Sequence, residues 1–151
     1  MFRGTEYRNL DDKGRVAIPP RFRDLLVGDE GDHRIMVTQA VGQGGRCLDI
    51  YSMAKWKAFE EKVLAMPQFQ AKTEAFIAAY IHPAQELTID SQGRVLLAQD
   101  LRKHLGEGRE LVFTGHLAHL LLWTEAEYRE ARPRILAQVS NEDFFKDFSV
   151  Q

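Results

Sequence analysis

Several things are scarce in this 151-residue chain, and each scarcity closes off a class of protein. There is one cysteine, Cys47, so no internal disulfide can form and a reducing, cytoplasmic setting is expected. Standing just ahead of an apolar strand, Cys47 reads as a small core residue rather than a nucleophile. Long apolar runs are absent. The greasiest stretch, Leu120-Leu121-Leu122-Trp123, has the length of a strand, not of a membrane span. The opening Met1-Phe2-Arg3-Gly4-Thr5-Glu6 lacks the apolar segment and cleavage site of a secretory signal, and none is expected. Positive charge is not in excess. Twenty Lys and Arg stand against 22 Asp and Glu, a formal net charge of −2, which speaks against an indiscriminate nucleic-acid binder. Catalytic signatures are missing as well: no glycine-rich phosphate loop follows a strand, and no nucleophile elbow is present. His82, His104, His116 and His119 share no ligand spacing with a cysteine or a His-Glu cluster. The expectation is a protein that is not an enzyme and holds neither metal nor cofactor.

What the chain does have is an internal repeat. Leu10-Asp11-Asp12-Lys13-Gly14-Arg15-Val16-Ala17-Ile18 returns as Ile89-Asp90-Ser91-Gln92-Gly93-Arg94-Val95-Leu96-Leu97, a shift of 79 residues. Phe22-Arg23 answers to Leu101-Arg102 and Leu26 to Leu105. After a gap of slightly different length, Leu48-Asp49-Ile50-Tyr51-Ser52 answers to Leu120-Leu121-Leu122-Trp123-Thr124. Several stretches in register indicate one architectural unit duplicated within the polypeptide. A unit near fifty residues struggles to bury enough surface alone, so the economical arrangement pairs the two copies about a pseudo-twofold axis. The expected fold class is α+β. Unit one spans 5–52, a helical connector 53–80, unit two 81–124, and a C-terminal helix and tail 125–151.

Alternation of apolar residues predicts strands at 15–18, 94–97, 34–38 and 110–114, with turns at 39–45 and 115–118 leading into the last strand of each copy. Pro19-Pro20 stops a strand, and the following Arg21–Leu26 suits a short helix opened by proline. Ser52 and Thr124 sit where a hydroxyl caps a helix, and Thr124-Glu125-Ala126-Glu127 has capping-box spacing. In the connector, Trp56, Phe59 and Val63 share one helical face before Pro67. Phe69, Thr73, Phe76, Ile77 and Tyr80 form a second stripe before Pro83. These aromatic stripes read as core. Pro133 is expected to break or kink the last helix.

The repeated turn has its own chemistry. An aspartate at the first of four turn positions accepts backbone N–H groups, and a glycine at the fourth takes the positive φ that a turn with a bulge requires. Asp11, Gly14, Asp90 and Gly93 are therefore turn-forming, with an ion pair from each aspartate to the arginine four residues on. The cations beside them differ between copies: Lys13 faces Gln92, and Arg21 faces Asp100. Arg23 and Arg102 match, which suggests an architectural pair. The first 26 residues carry six cations, among them Arg3, against four anions. Lys13, Arg15, Arg21 and Arg3, with Arg94 in the second copy, are the candidate DNA-binding residues, since arginine makes bidentate hydrogen bonds to phosphate and to guanine. The first copy is expected to hold most of the DNA-facing charge.

These residues resemble a known family. Met1-Phe2-Arg3-Gly4, then Asn9 through Pro19, then the second Asp90-Ser91-Gln92-Gly93-Arg94, closely resemble the MraZ proteins of bacteria, over nearly the whole chain from Phe2 to about Trp123. The resemblance implies two SpoVT-AbrB-type swapped-hairpin units in one chain and ring-shaped homo-oligomers. It also implies a nucleoid-associated, sequence-specific transcriptional regulator. Such a regulator binds double-stranded DNA at short tandem promoter repeats of the division and cell-wall gene cluster, its own gene included. It further implies a DNA-binding role for Asp11, Arg15, Asp90 and Arg94. Gln92 departs from the basic pattern of the first copy. A partner-binding oligomer is the other reading, resting on the acidic and aromatic tail Asp143-Phe144-Phe145-Lys146-Asp147-Phe148.

Overall fold

The computed structural model describes residues 1–139 together with Asp143 and Lys146. The first copy supplies β1 (Thr5–Asn9), β2 (Arg15–Ala17), α1 (Pro20–Val27), β3 (Arg34–Gln39) and β4 (Leu48–Ser52). Helices α2 (Met53–Leu64) and α3 (Ala71–Phe76) follow, and α3 runs into a π-helical turn, Ile77–Ile81. The second copy supplies β5 (Gln85–Thr88), β6 (Arg94–Leu96), α4 (Gln99–Leu105), β7 (Glu110–His116) and β8 (His119–Thr124), before α5 (Glu125–Leu136). The result is a mixed α/β protein in which the strand pairings are antiparallel, with five α-helices among the described residues. None of these helices is long and apolar enough to cross a membrane.

Two sheets form. The larger has the order β1-β7-β8-β4-β3-β5, and β2 pairs with β6 in a separate ribbon. Pairing runs between copies at both edges. Asn9 of β1 lies opposite Glu110 of β7, and its counterpart Thr88 of β5 lies opposite Arg34 of β3. The ribbon is reciprocal too: Arg15 faces Leu96, Val16 faces Val95, and Ala17 faces Arg94. Hydrogen bonds extend it at both ends, from Ile18 N to Gly93 O (2.9 Å) and from Leu97 N to Gly14 O (2.9 Å).

The core follows from strand periodicity, since alternate side chains point to opposite faces. One face of the large sheet turns Ile35, Val37, Leu48, Ile50, Leu111, Phe113, Leu120 and Leu122 toward the central cluster. Val16, Ile18, Phe22 and Leu26 meet them there with their counterparts Val95, Leu97, Leu101 and Leu105. Every one of these sixteen side chains is buried. The other face carries two smaller clusters. Cys47, Val112, Leu121 and Trp123 pack with Ala131 and Tyr128 of α5, while Tyr51 packs with Trp56, Phe59, Phe76 and Tyr80 of the helical connector. Cys47 is fully buried and its thiol pKa is pushed well up, chiefly by desolvation, as befits a core residue.

Helix starts fall where the sequence places them. Pro20 occupies the first turn of α1. Ser52 Oγ accepts from Lys55 N, and Thr124 Oγ1 accepts from Glu127 N at 3.1 Å. The capping box is only half made, because the Glu127 carboxylate turns away to accept Arg46 N at 3.1 Å.

Three local expectations differ from the structure. The turn at 115–118 narrows to Leu117-Ala118, since Gly115 and His116 stay in β7 and pair with β8. Pro133 does not break the last helix, which continues to Leu136. Phe69 lies outside the aromatic stripe: it is 95% exposed, with φ at +67°. The reason lies one residue earlier, where the Gln68 side chain donates to Val63 O, Leu64 O and Met66 O and closes α2. The chain then turns before α3 starts, which leaves Thr73, Phe76 and Tyr80 as the inward-facing residues and Ile77 half-buried. The tail segment 143–148 lies largely outside the described residues.

Candidate nucleic-acid interface

Each repeated turn is built around one carboxylate. Asp11 Oδ1 accepts from Lys13 N (2.9 Å) and Arg15 N (2.9 Å), and Oδ2 accepts from Arg15 Nε (3.0 Å). Asp11 N donates to Arg15 O at 2.8 Å, and Gly14 N donates to Asp11 O at 3.1 Å. In the second copy Asp90 Oδ1 accepts from Gln92 N (2.8 Å) and Arg94 N (2.9 Å), with Arg94 Nε at 3.3 Å from Oδ2. Gly14 and Gly93 have φ of +83° and +77°, which glycine adopts without steric penalty. Backbone N–H bonds from Arg15 and Arg94 are the largest influence holding the two carboxyls below the ordinary aspartate pKa. Both carboxylates thus stay ionised and keep the arginines oriented.

The consequence is chemical. The aspartate uses Nε of each arginine, while Nη1 and Nη2 carry no hydrogen bond or ion pair among the described residues. The end-on edge of a preoriented guanidinium, Nη1 with Nη2, remains, the arrangement that suits bidentate recognition of phosphate or guanine.

The other sequence candidates fall in different places. Lys13 is exposed at the tip of the first turn. Arg21 is engaged: Nε donates to Glu6 at 2.5 Å, Nη1 donates to Arg3 O at 2.7 Å, and its Cζ lies 4.2 Å from the centre of the Phe22 ring. It ties α1 to the N-terminal segment, which a two-way bridge between Phe2 and Leu117 pins to the β7–β8 hairpin. Arg3 is exposed on that segment. Asp12 is paired with Arg109 across the copies.

Two residues read from sequence as architectural also stand at the turns. The Arg102 guanidinium of α4 packs on Gly14, where an added Cβ would lie 3.3 Å from its Cζ; Arg23 of α1 packs on Gly93, where a Cβ would lie 1.3 Å from its Nη1. Each turn therefore borders an arginine from the other copy, and the cations divide differently in space than along the chain. The signal was in the sequence, since Arg23 and Arg102 recur at the shift of 79 residues shared by the turns.

The histidines assemble elsewhere. His119 Nε2 lies 3.3 Å from Asp49 Oδ1, its ring stacks on Tyr51 at 4.5 Å, and the His116 ring is 5.3 Å away. Asp49 Oδ2 also accepts from the Tyr80 hydroxyl, which is 2.7 Å from that of Tyr51. This buried polar chain joins β4, β8 and the π-helical turn. Among the described residues no group of three His, Cys, Asp or Glu is placed to hold a metal ion.

These features define a duplicated, β-rich protein that repeats one aspartate-held arginine turn in each of two units. The family described as "MraZ protein, putative antitoxin-like" matches residues 1–78 and again 80–149. The chain is 36% identical over 141 residues to the transcriptional regulator MraZ of Azoarcus sp., covering 93% of this chain and 92% of that one. It is 36% identical to that of Aromatoleum aromaticum, covering 91% and 90%. For Haemophilus influenzae the figure is 33%, covering 97% and 95%. The chain belongs to the MraZ family.

Proposed function

We propose that this chain is a transcriptional regulator that binds double-stranded DNA through its two Asp-held arginine turns. The observation carrying the reading is the state of Arg15 and Arg94. Each is fixed through Nε by an ionised aspartate and offers two terminal nitrogens with no hydrogen-bond partner among the described residues. An arginine so held loses less conformational freedom on meeting a phosphate or a guanine edge than a free side chain would. Lys13 adds a cation at the first turn. Arg3 contributes from the pinned N-terminal segment, and Arg21 from the start of α1, which it ties to that segment. The names of the relatives, each a transcriptional regulator, support the same reading.

The finer proposals follow from the architecture. Exchange of edge strands between copies and the reciprocal β2–β6 register support two swapped-hairpin units, 5–52 and 81–124, related by a pseudo-twofold axis. The segment 53–80 connects them, and 125–151 forms the C-terminal helix and tail. The target sites are short tandem repeats in the promoter of the division and cell-wall cluster, the protein's own gene included, and the protein acts at the nucleoid as a ring-shaped homo-oligomer. With a net charge of −2, one chain has few phosphate contacts. Linked copies on successive repeats gain roughly 10²–10⁴ in affinity through effective concentration.

Footprinting upstream of the protein's own gene tests this. Wild type is expected to protect the repeats, and Arg15→Ala to lose protection while melting normally. Affinity should fall sharply when all repeats but one are scrambled. Equal affinity for one repeat and for several would remove the ring from the account.

A further inference from the structure

The half-buried Arg23 and the exposed Arg102 share an unusual condition. Neither side chain has a hydrogen bond or ion pair among the described residues, yet each guanidinium packs on a turn glycine of the other copy. Each guanidinium is held in place with its five donors left to solvent or to a ligand. The adjacent aspartate is not their acceptor: Asp11 and Asp90 already take two backbone N–H groups and their own arginine's Nε. Each turn thus carries two guanidiniums, one from the turn and one from the opposite copy's helix: Arg15 with Arg102, and Arg94 with Arg23. Gly14 lies beside Leu97 and Gly93 beside Ile18, so the two turns stand at opposite ends of the ribbon, about 14 Å apart by the rise of an extended chain.

We infer that the two turns are equivalent composite phosphate clamps, each completed by the helix arginine of the other copy, and that the ligand is the phosphodiester backbone. A backbone phosphodiester carries one negative charge over two non-bridging oxygens, and each oxygen has lone pairs for more than one donor, enough to take hydrogen bonds from two guanidiniums at once. The inference rests on the DNA-binding reading and revises the expectation of a dominant first copy. Each turn then has the same two guanidiniums, and Lys13 is an extra cation of the first turn, where the second has Gln92.

The test is a fluorescence-anisotropy titration of duplex DNA from upstream of the gene, across a salt series, with wild type and the variants Arg23→Ala, Arg102→Ala, Arg15→Ala and Lys62→Ala. Arg23→Ala and Arg102→Ala are each expected to weaken binding about tenfold, the scale of one charged hydrogen bond. Each should also lower the slope of log affinity against log salt by about 0.9, one phosphate contact. Lys62→Ala, on the helical connector, should leave both unchanged. A purely architectural arginine would shift the melting temperature without moving the slope. Arg23→Gln and Arg102→Gln replace the alanine variants if those melt early. If Arg15→Ala abolishes binding while the helix variants keep wild-type affinity and slope, the clamp is wrong and the DNA reading stands. An effect from Arg102 alone overturns the equivalence of the two turns. If wild type itself does not bind, the reading and the clamp fall together.

Discussion

Gly14 and Gly93 occupy the same turn position with nearly the same positive φ, but their surroundings differ. An L-residue pays about 1–2 kcal/mol for that backbone region at either site. At Gly14 an added Cβ would lie 3.3 Å from Arg102 Cζ, tight but tolerable with a small shift; at Gly93 it would lie 1.3 Å from Arg23 Nη1, which no small shift relieves. Gly14→Ala and Gly93→Ala should therefore lower the melting temperature by similar amounts and separate in another measurement. Gly93→Ala expels Arg23 from its seat, so its salt slope for DNA should match that of Arg23→Ala. Gly14→Ala should keep the contribution of Arg102. The need for glycine in such a turn was legible from the Asp-x-x-Gly motif alone. The second demand, room for a guanidinium from another part of the chain, was not, because a turn motif carries no information about what packs on it.

At the scale of elements, helices and strands were largely readable because their signals are local. Alternation marked the strands, and hydroxyls at 52 and 124 marked two helix starts. Two expectations fail for different physical reasons. Helical spacing puts Phe69 in line with Thr73 and Phe76, but spacing counts only within one continuous helix, and α3 starts at Ala71, after the turn in which Phe69 sits. Pro133 is expected to break or kink α5, yet the helix runs through it to Leu136, where Ala131 and Tyr128 pack against the sheet. The local penalty of a proline inside a helix remains in the protein. Pro133 is exposed, so Pro133→Ala restores a backbone donor without disturbing the core and should raise stability, by up to about 3 kcal/mol on helix-propensity scales. Urea denaturation of the two proteins measures it. An unchanged midpoint would mean that the last turn of α5 adds nothing to the cooperative fold.

At the scale of the whole molecule, the duplication and the need for the copies to pair were visible, but the residue-by-residue partners were not, because a repeat does not say which strand a given strand will join. Strands β1 and β5 each complete the sheet beside the other copy's third strand, and the central core takes matched residues from both copies. A fragment of residues 1–78 leaves β3 without β5 and β1 without β7, so it should show no cooperative thermal transition as a monomer. Mixing it with a fragment of residues 79–151 should restore one, read by circular dichroism; a cooperative melt of either fragment as a monomer would contradict the shared core. The same pairing bears on synthesis. Strand β1 leaves the ribosome among the first residues made, but its partner β7 ends at His116, more than a hundred residues later. At translation rates of about 5–20 residues per second, the N-terminal strand waits several seconds unpaired. The arginine turn that follows it gains its supporting helix, α4, only late in that interval, so a nascent or prematurely terminated chain carries the Asp-Arg motif without the scaffold that positions it.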